Sequence, residues 1–115
     1  MRDHRKLDAF VLADALVIRI YQVTRAFPDE ERFGLTSQIR RAAMSIGTNI
    51  VEGSARSSEA DYVRFLTIAY GSACEVDYQV SIATRLGYLS EDSDIVALAS
   101  RTCRTLRGLV NAFHP

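Results

Sequence analysis

Proline is scarce in this chain. Its two copies stand at 28 and 115, so nothing between them breaks a helix in the way proline does. Strand signals are missing too: no segment sustains period-two alternation, and neither Asn-Gly nor Asp-Gly occurs to turn a hairpin. Histidine is confined to His4 and His114, near the chain ends, and neither follows a glutamate by three residues. That excludes the Glu-x-x-His pairs of a di-iron bundle and leaves no histidine inside the fold to activate a serine or cysteine. Glycine-rich phosphate loops, internal repeats and low-complexity tracts are absent. No apolar run reaches membrane-spanning length. Asp8, Asp14 and Arg19 interrupt the first apolar stretch, so no signal segment forms and the expected location is the cytoplasm. Cys74 and Cys103 lack a CxxC spacing and a nearby histidine; buried, reduced thiols are expected.

What is present suits one small helical domain. The 115 residues allow a single core, and an apolar share of 48% is too high for a disordered chain. Fourteen basic residues balance 14 acidic ones, so any nucleic-acid contact must rest on a local patch.

Glycines and polar clusters divide the chain into four helical segments, at about 7–27, 35–53, 58–86 and 91–113. In the first, Phe10, Ala13, Val17, Ile20, Thr24 and Phe27 keep one face inward, with Leu12, Leu16 and Val23 off that seam. FPDEERFG ends it. Gly53 is placed as the left-handed stop of the second segment and Gly87 as that of the third. Ser58 with Asp61 forms a capping box variant, with Asp in place of Glu. The third seam runs Tyr62, Leu66, Ala69, Ala73, Val76, Val80 and Ala83, whose small members let a neighbouring helix come close. Ser90 is the expected cap of the fourth segment, with Glu91, Asp92 and Asp94 at its positive end. Its seam is Ile95, Leu98, Thr102, Leu106, Leu109 and Phe113. Four helices on short connections imply an all-α, antiparallel up-down-up-down bundle.

The second segment is unusual. At about 100° per residue, Leu35, Ile39, Ala42, Ala43, Ile46 and Ile50 gather on one side. Gln38, Arg41, Ser45, Thr48, Asn49 and Glu52 form a polar strip along its edge, and Met44, Gly47 and Val51 lie beyond that strip. An ordinary surface helix has one apolar stripe and one wet face. This one is built to be touched on two sides, and the first segment shows the same apolar excess, so a homo-oligomer is expected. Glu52 lies in the last turn, where the helix dipole disfavours an anion, and needs a partner. Arg56 four residues on, or Arg41 of another subunit, would serve. Ser72, Glu75 and Gln79 form a comparable strip on the third segment, and the two strips could join as one hydrogen-bonded network.

These residues carry a family resemblance. LTSQIRRAAMSIGTNIVEGSAR holds Leu35, Gln38, Arg41, Ser45, Asn49, Ile50, Glu52 and Gly53; RFLTIAYGSACE holds Phe65, Leu66, Ala69, Gly71, Ser72 and Glu75; LGYL closes the third segment. Together they resemble the small bacterial four-helix-bundle proteins often encoded within intervening sequences of 23S ribosomal RNA genes. The resemblance covers nearly the whole chain. It implies an up-down four-helix bundle and a ring-like homopentamer; the family has no established enzymatic activity, and none is expected here. A related group, the accessory proteins of diversity-generating retroelements, are basic pentamers that bind nucleic acid and reverse transcriptase; the neutral charge here departs from them. No cofactor, metal or small-molecule substrate is expected. Glu52 and Glu75 as an acid/base pair rank below a structural network. Arg40 with Arg41, and Arg101, Arg104 and Arg107 on the last helix, read first as solvated surface and second as phosphate contacts repeated around a ring. No aromatic stacking platform for single strands is evident.

Overall fold

The computed structural model describes residues 2–114. Its helices are α1 (Asp8–Thr24), α2 (Leu35–Ser54), α3 (Glu59–Arg85) and α4 (Asp94–Asn111), with no strand among the described residues. Each helix packs on two others in a closed cycle, α1 on α2, α2 on α3, α3 on α4 and α4 on α1, while the backbones of the diagonal pairs stand apart. Contacts at the ends fix the directions. Arg40, early in α2, bonds Thr24 at the end of α1. Arg19, late in α1, pairs with Asp94 at the start of α4. Tyr62, early in α3, meets Phe113 just past α4, ring centroids 5.8 Å apart. The helices therefore run alternately up and down. The 27 residues of α3 span about 40 Å at helical rise, nearly the full 43 Å length of the molecule.

The core is the cycle's interior. Leu16, Ile20, Ile39, Ile46, Ile50, Leu66, Val76, Ile95 and Leu106 are wholly buried there. In α1 the inward line is Ala9, Ala13, Leu16, Ile20 and Thr24. Phe10 and Val17, expected on the seam, are only half-buried, and Leu16, expected off it, has no exposure. The two lines share Ala13, Ile20 and Thr24. Spacing alone does not decide between them, because the helix's rotation depends on where α2 and α4 stand.

Segment ends depart from the sequence reading in three places. First, α1 stops at Thr24, not near Phe27. Pro28 disfavours helical geometry in the residue before it, and turn bonds from Ala26 and Phe27 close the helix instead. Secondly, Gly53 is not a left-handed stop; it lies inside α2, and among the described residues only Gly87 has positive φ, at 81°. Gly87 does close α3, with Tyr88 N–H bonding the Ala83 carbonyl at 2.8 Å and Gly87 N–H that of Thr84 at 3.0 Å. Thirdly, α4 begins at Asp94 with Ser93 as its cap, not at 91 with Ser90; the Ser90 hydroxyl bonds Asp92 instead. The Ser58 cap is in place, accepting from Asp61 N–H at 3.1 Å.

Gly53 has a different use. A Cβ there would stand 2.8 Å from Phe65 Cβ and 3.3 Å from the Tyr62 carbonyl oxygen, so α2 and α3 touch backbone to backbone at this end. Gly108, by contrast, faces open space. Gly53→Ala is expected to cost about 1–3 kcal/mol, whereas Gly108→Ala is expected to stabilise by roughly 0.5–1 kcal/mol. Leu16→Ala should cost about 2–5 kcal/mol, the mark of a core side chain. Urea unfolding of the three variants checks the ordering, and an unaffected Leu16→Ala would return that residue to the surface.

Candidate functional site

Polar residues of α2 and α3 meet along one seam. Ser45 on α2 and Ser72 on α3 bring their Oγ atoms to 2.9 Å. Asn49, one turn on, donates from Nδ2 to the Ser45 carbonyl at 2.8 Å and to Ser45 Oγ at 3.0 Å. Small side chains make this possible: Ser45 and Ser72 with Ala42, Ala69 and Ala73 leave room for two backbones to approach. Arg41, Ala42, Ser45, Ser72 and Glu75 line a shallow cleft of about 170 Å³ over the seam.

The wider strip separates into pieces. Glu52 and Arg56 approach to 3.9 Å, an exposed i,i+4 pair apart from the Asn49 node. Arg56 also lies over the Phe65 ring, 4.9 Å from its centroid. Glu75 and Gln38 stand exposed at the margin. Gln79 is buried, and among the described residues its Oε1 has no hydrogen-bond partner. Ser54 Oγ is in the same state at the end of α2. Unpaired buried acceptors are costly and rare.

A second surface lies between α1 and α2. Phe10, Ala13, Val17, Met44, Gly47 and Val51 form most of a groove of about 280 Å³, with Asp14, Thr48 and Glu52 also lining it. Met44 is 49% exposed and Val51 38%. Further round α1, Val11 and Ile18 are 57% and 56% exposed, seven residues apart and hence on one face.

A third surface sits where the α1–α2 connection enters α2. Tyr21, Arg32, Phe33, Thr36, Ser37, Arg40 and Arg41 surround an open cleft of about 390 Å³. Arg40 is partly committed, donating from Nε to Thr24 Oγ1 at 2.8 Å and lying over the Tyr21 ring. Arg32 covers Phe33, which is 88% exposed. Two aromatic rings therefore stand beside three arginines, where the sequence reading saw no stacking platform. The available signal was Phe33 itself, an aromatic set between Arg32 and Gly34 in a polar connection. The α4 cluster is separate. Arg101, Arg104 and Arg107 are exposed, Arg104 bonds Ser100 Oγ at 2.7 Å, and α4 lies diagonally opposite α2.

Residues 5–110 match the family model of the 23S rRNA-intervening sequence protein. The chain belongs to this family. A crystal structure of a protein of unknown function from the S23 ribosomal protein family of Bacteroides thetaiotaomicron is similar in fold, with a TM-score of 0.79 and 24% identity over 90% of this chain and 95% of that one. No curated protein matches the chain. This member of the 23S rRNA-intervening sequence family thus shares an all-helical architecture with a solved relative, and no enzyme family is indicated. Among the described residues no helix is long and apolar enough to cross a membrane, and no group of three or more potential metal ligands is gathered.

Other contacts tie the family member's ends together. Arg2 N–H bonds the Ser54 carbonyl at 2.9 Å, and its guanidinium lies 4.0 Å from the Tyr62 ring centroid, so the N-terminal segment covers the α2–α3 turn. At the opposite end Glu31 accepts from Leu35 N–H at 3.2 Å and from the Tyr88 hydroxyl at 2.9 Å, which holds the Tyr88 pKa above its ordinary value. Arg19 grips Asp94 with two bonds of 2.9 and 2.8 Å and holds that carboxyl below its usual 3.8. A depressed carboxyl contributes stability that is complete above its unfolded pKa and is lost as pH falls through the folded value. Arg19→Ala should therefore melt slightly earlier than the parent at neutral pH, by a small margin since the pair is exposed. The two melting curves should converge in an acid series below that depressed value; a gap independent of pH would remove the pair as its source.

Proposed function

We propose that the protein is a non-enzymatic homo-oligomer that serves as a scaffold or interaction module, its copies meeting on the outer face of α1 and α2. One observation carries this reading: the groove of Phe10, Val17, Met44 and Val51, with Val11 and Ile18 also exposed farther round α1, beyond Asp14. Contiguous apolar surface of this kind usually marks a protein contact. The Ser45–Asn49–Ser72 node lies along the neighbouring seam, where satisfied polar groups can set register between helices. A ring of five is the assembly that the family resemblance implies. Closed rings arise when one patch meets a different patch on the next copy.

Native mass spectrometry at micromolar concentration should show one multimer, with five copies the expected number. Met44→Glu/Val51→Glu should reduce it to monomers that keep their helical circular dichroism, since both side chains lie outside the core. A monomeric parent would overturn the assembly. Asn49→Ala should lower Tm or shift the assembly mass; no change in either would remove the polar node from the account.

A second reading rests on the cleft of Arg32, Arg40 and Arg41 with Tyr21 and Phe33. Arginines contact phosphates, and exposed rings stack bases. On this reading the protein is an accessory factor for RNA or DNA, with the cleft repeated on each copy. Affinity for a labelled RNA should fall steeply with salt. Arg32→Ala/Arg41→Ala should flatten the slope of log K against log salt by roughly one to two. Arg101→Ala/Arg104→Ala should leave that slope nearly unchanged, because α4 is distant. Absence of binding at low salt would leave the scaffold reading alone.

A further inference from the structure

Cys74 and Cys103 stand 29 residues apart in sequence, yet α3 and α4 bring their sulfur atoms to 3.3 Å. Both are half-buried free thiols at the interface of two long helices. Each helix is held independently of this contact. Val76 and Val80 of α3 and Ala99 and Leu106 of α4 are buried in the core, and the Schellman turn at Gly87 fixes how α3 leads into α4. The pair is therefore presented by rigid elements, not by loops. A disulfide needs a sulfur separation of about 2 Å. Closing the bond has to draw the two sulfur atoms more than an ångström nearer, by rotation about the side-chain bonds or a shift of the helices.

We infer that Cys74 and Cys103 are a redox-closing dithiol, which reacts with small disulfides to form an intrachain bond joining α3 to α4. The exchange balances as follows. The Cys74 sulfur, as thiolate, attacks a small disulfide RSSR, breaks its S–S bond and expels RS⁻, leaving Cys74–S–S–R. The Cys103 sulfur, deprotonated in turn, attacks Cys74 Sγ and expels the second RS⁻. The two protons from the cysteines pass through solvent to the two leaving thiolates. The cysteine pair is oxidised by two electrons and RSSR is reduced to two RSH.

The surroundings set the pace. Burial, reinforced by the neighbouring Cys74 thiol and by Asp77, pushes Cys103 up to about 11, while Arg107 pulls it the other way. Tyr70 stands against the same pair, its own pKa raised chiefly by Cys74. With its pKa raised, Cys103 holds little thiolate at neutral pH and suits the second, intramolecular step, where proximity offsets the small thiolate fraction. The closed form also has a structural consequence. Cys74 lies on the face of α3 toward α4, while Ser72 on another face meets Ser45 of α2. Closing the bond fixes α3 against α4 without removing the polar node on its other side.

The test uses the full chain, reduced and then incubated with oxidised glutathione under native conditions. The expected product has lost two hydrogens in mass, carries no glutathione and yields a single crosslinked peptide containing Cys74 and Cys103. Its Tm should rise by roughly 10 °C, as expected for a crosslink spanning a loop of this length, and dithiothreitol should reverse the rise. Cys103→Ser should stop at the Cys74 mixed disulfide, and Cys74→Ser should not form the crosslink at all. Two unreacted thiols after prolonged exposure, a stable adduct on the parent without closure, or crosslinks only between chains would each overturn the inference. Circular dichroism of the parent before oxidation establishes that the thiols are tested in the folded protein.

Discussion

The close approach of α2 and α3 is the constraint around which the rest of this bundle is arranged. Backbones come together only where side chains are small. Gly53 leaves no room for a Cβ against Phe65 and Tyr62, and Ser45 and Ser72 share a hydrogen bond farther along. Gly53 at one end of the contact and the Ser45–Ser72 pair midway along it hold the helices near one another. The α2–α3 pairing is the most extensive in the molecule, and α1 and α4 complete the cycle on either side. Dispersion is weak per atom and strong in sum, so a pair of helices this close contributes through many contacts at once.

That constraint also explains the polarity of α2. A helix drawn tightly onto α3 carries its core stripe inward and its polar strip to the edge of the same seam. Serine and asparagine there satisfy one another and an α2 carbonyl, which is the condition for placing hydroxyl and amide groups in half-buried surroundings. Among the described residues, Gln79 and Ser54 remain as buried groups with unpaired oxygen atoms. The apolar surface beyond the strip, at Met44 and Val51, is what the bundle leaves uncovered after its own four helices have packed. An assembly through this face would join the two levels of organisation, since the same helix that closes the core presents the outer groove.

Three kinds of chemistry lie on the surface, two of them one after the other along α1 and α2 and the third between α3 and α4. The apolar groove belongs to α1 and α2, the arginine and aromatic cleft to the entrance of α2, and the thiol pair to α3 and α4. None holds a histidine, and the two histidines stand beyond the four helices, at 4 and 114. The thiol pair can be altered without disturbing the other two, because mutations far apart with no shared partner act nearly additively.

Much of the architecture was legible in the residues themselves. Helical periodicity, the near absence of proline, the Ser58 cap and the Gly87 stop are local properties, settled within a turn or two of the chain. The polar strip of α2 was visible for the same reason, since a helix's faces follow from counting. What lay beyond reach depends on a second element. Whether Leu16 or Val17 points inward is decided by where α2 and α4 stand against α1. Gly53 reads as a stop in sequence and is a contact in space, because only the position of Phe65 shows what a Cβ would strike. Phe33 joins Arg32, Arg40 and Arg41 through a turn whose course no periodicity specifies. Cys74 and Cys103 look isolated along the chain and become neighbours when two antiparallel helices take a particular register. The sequence by itself determined the helices, their order and which faces are apolar, because these follow from short-range geometry; the tertiary structure alone decided which side chains meet, because rotation and register are set by packing among all four helices at once.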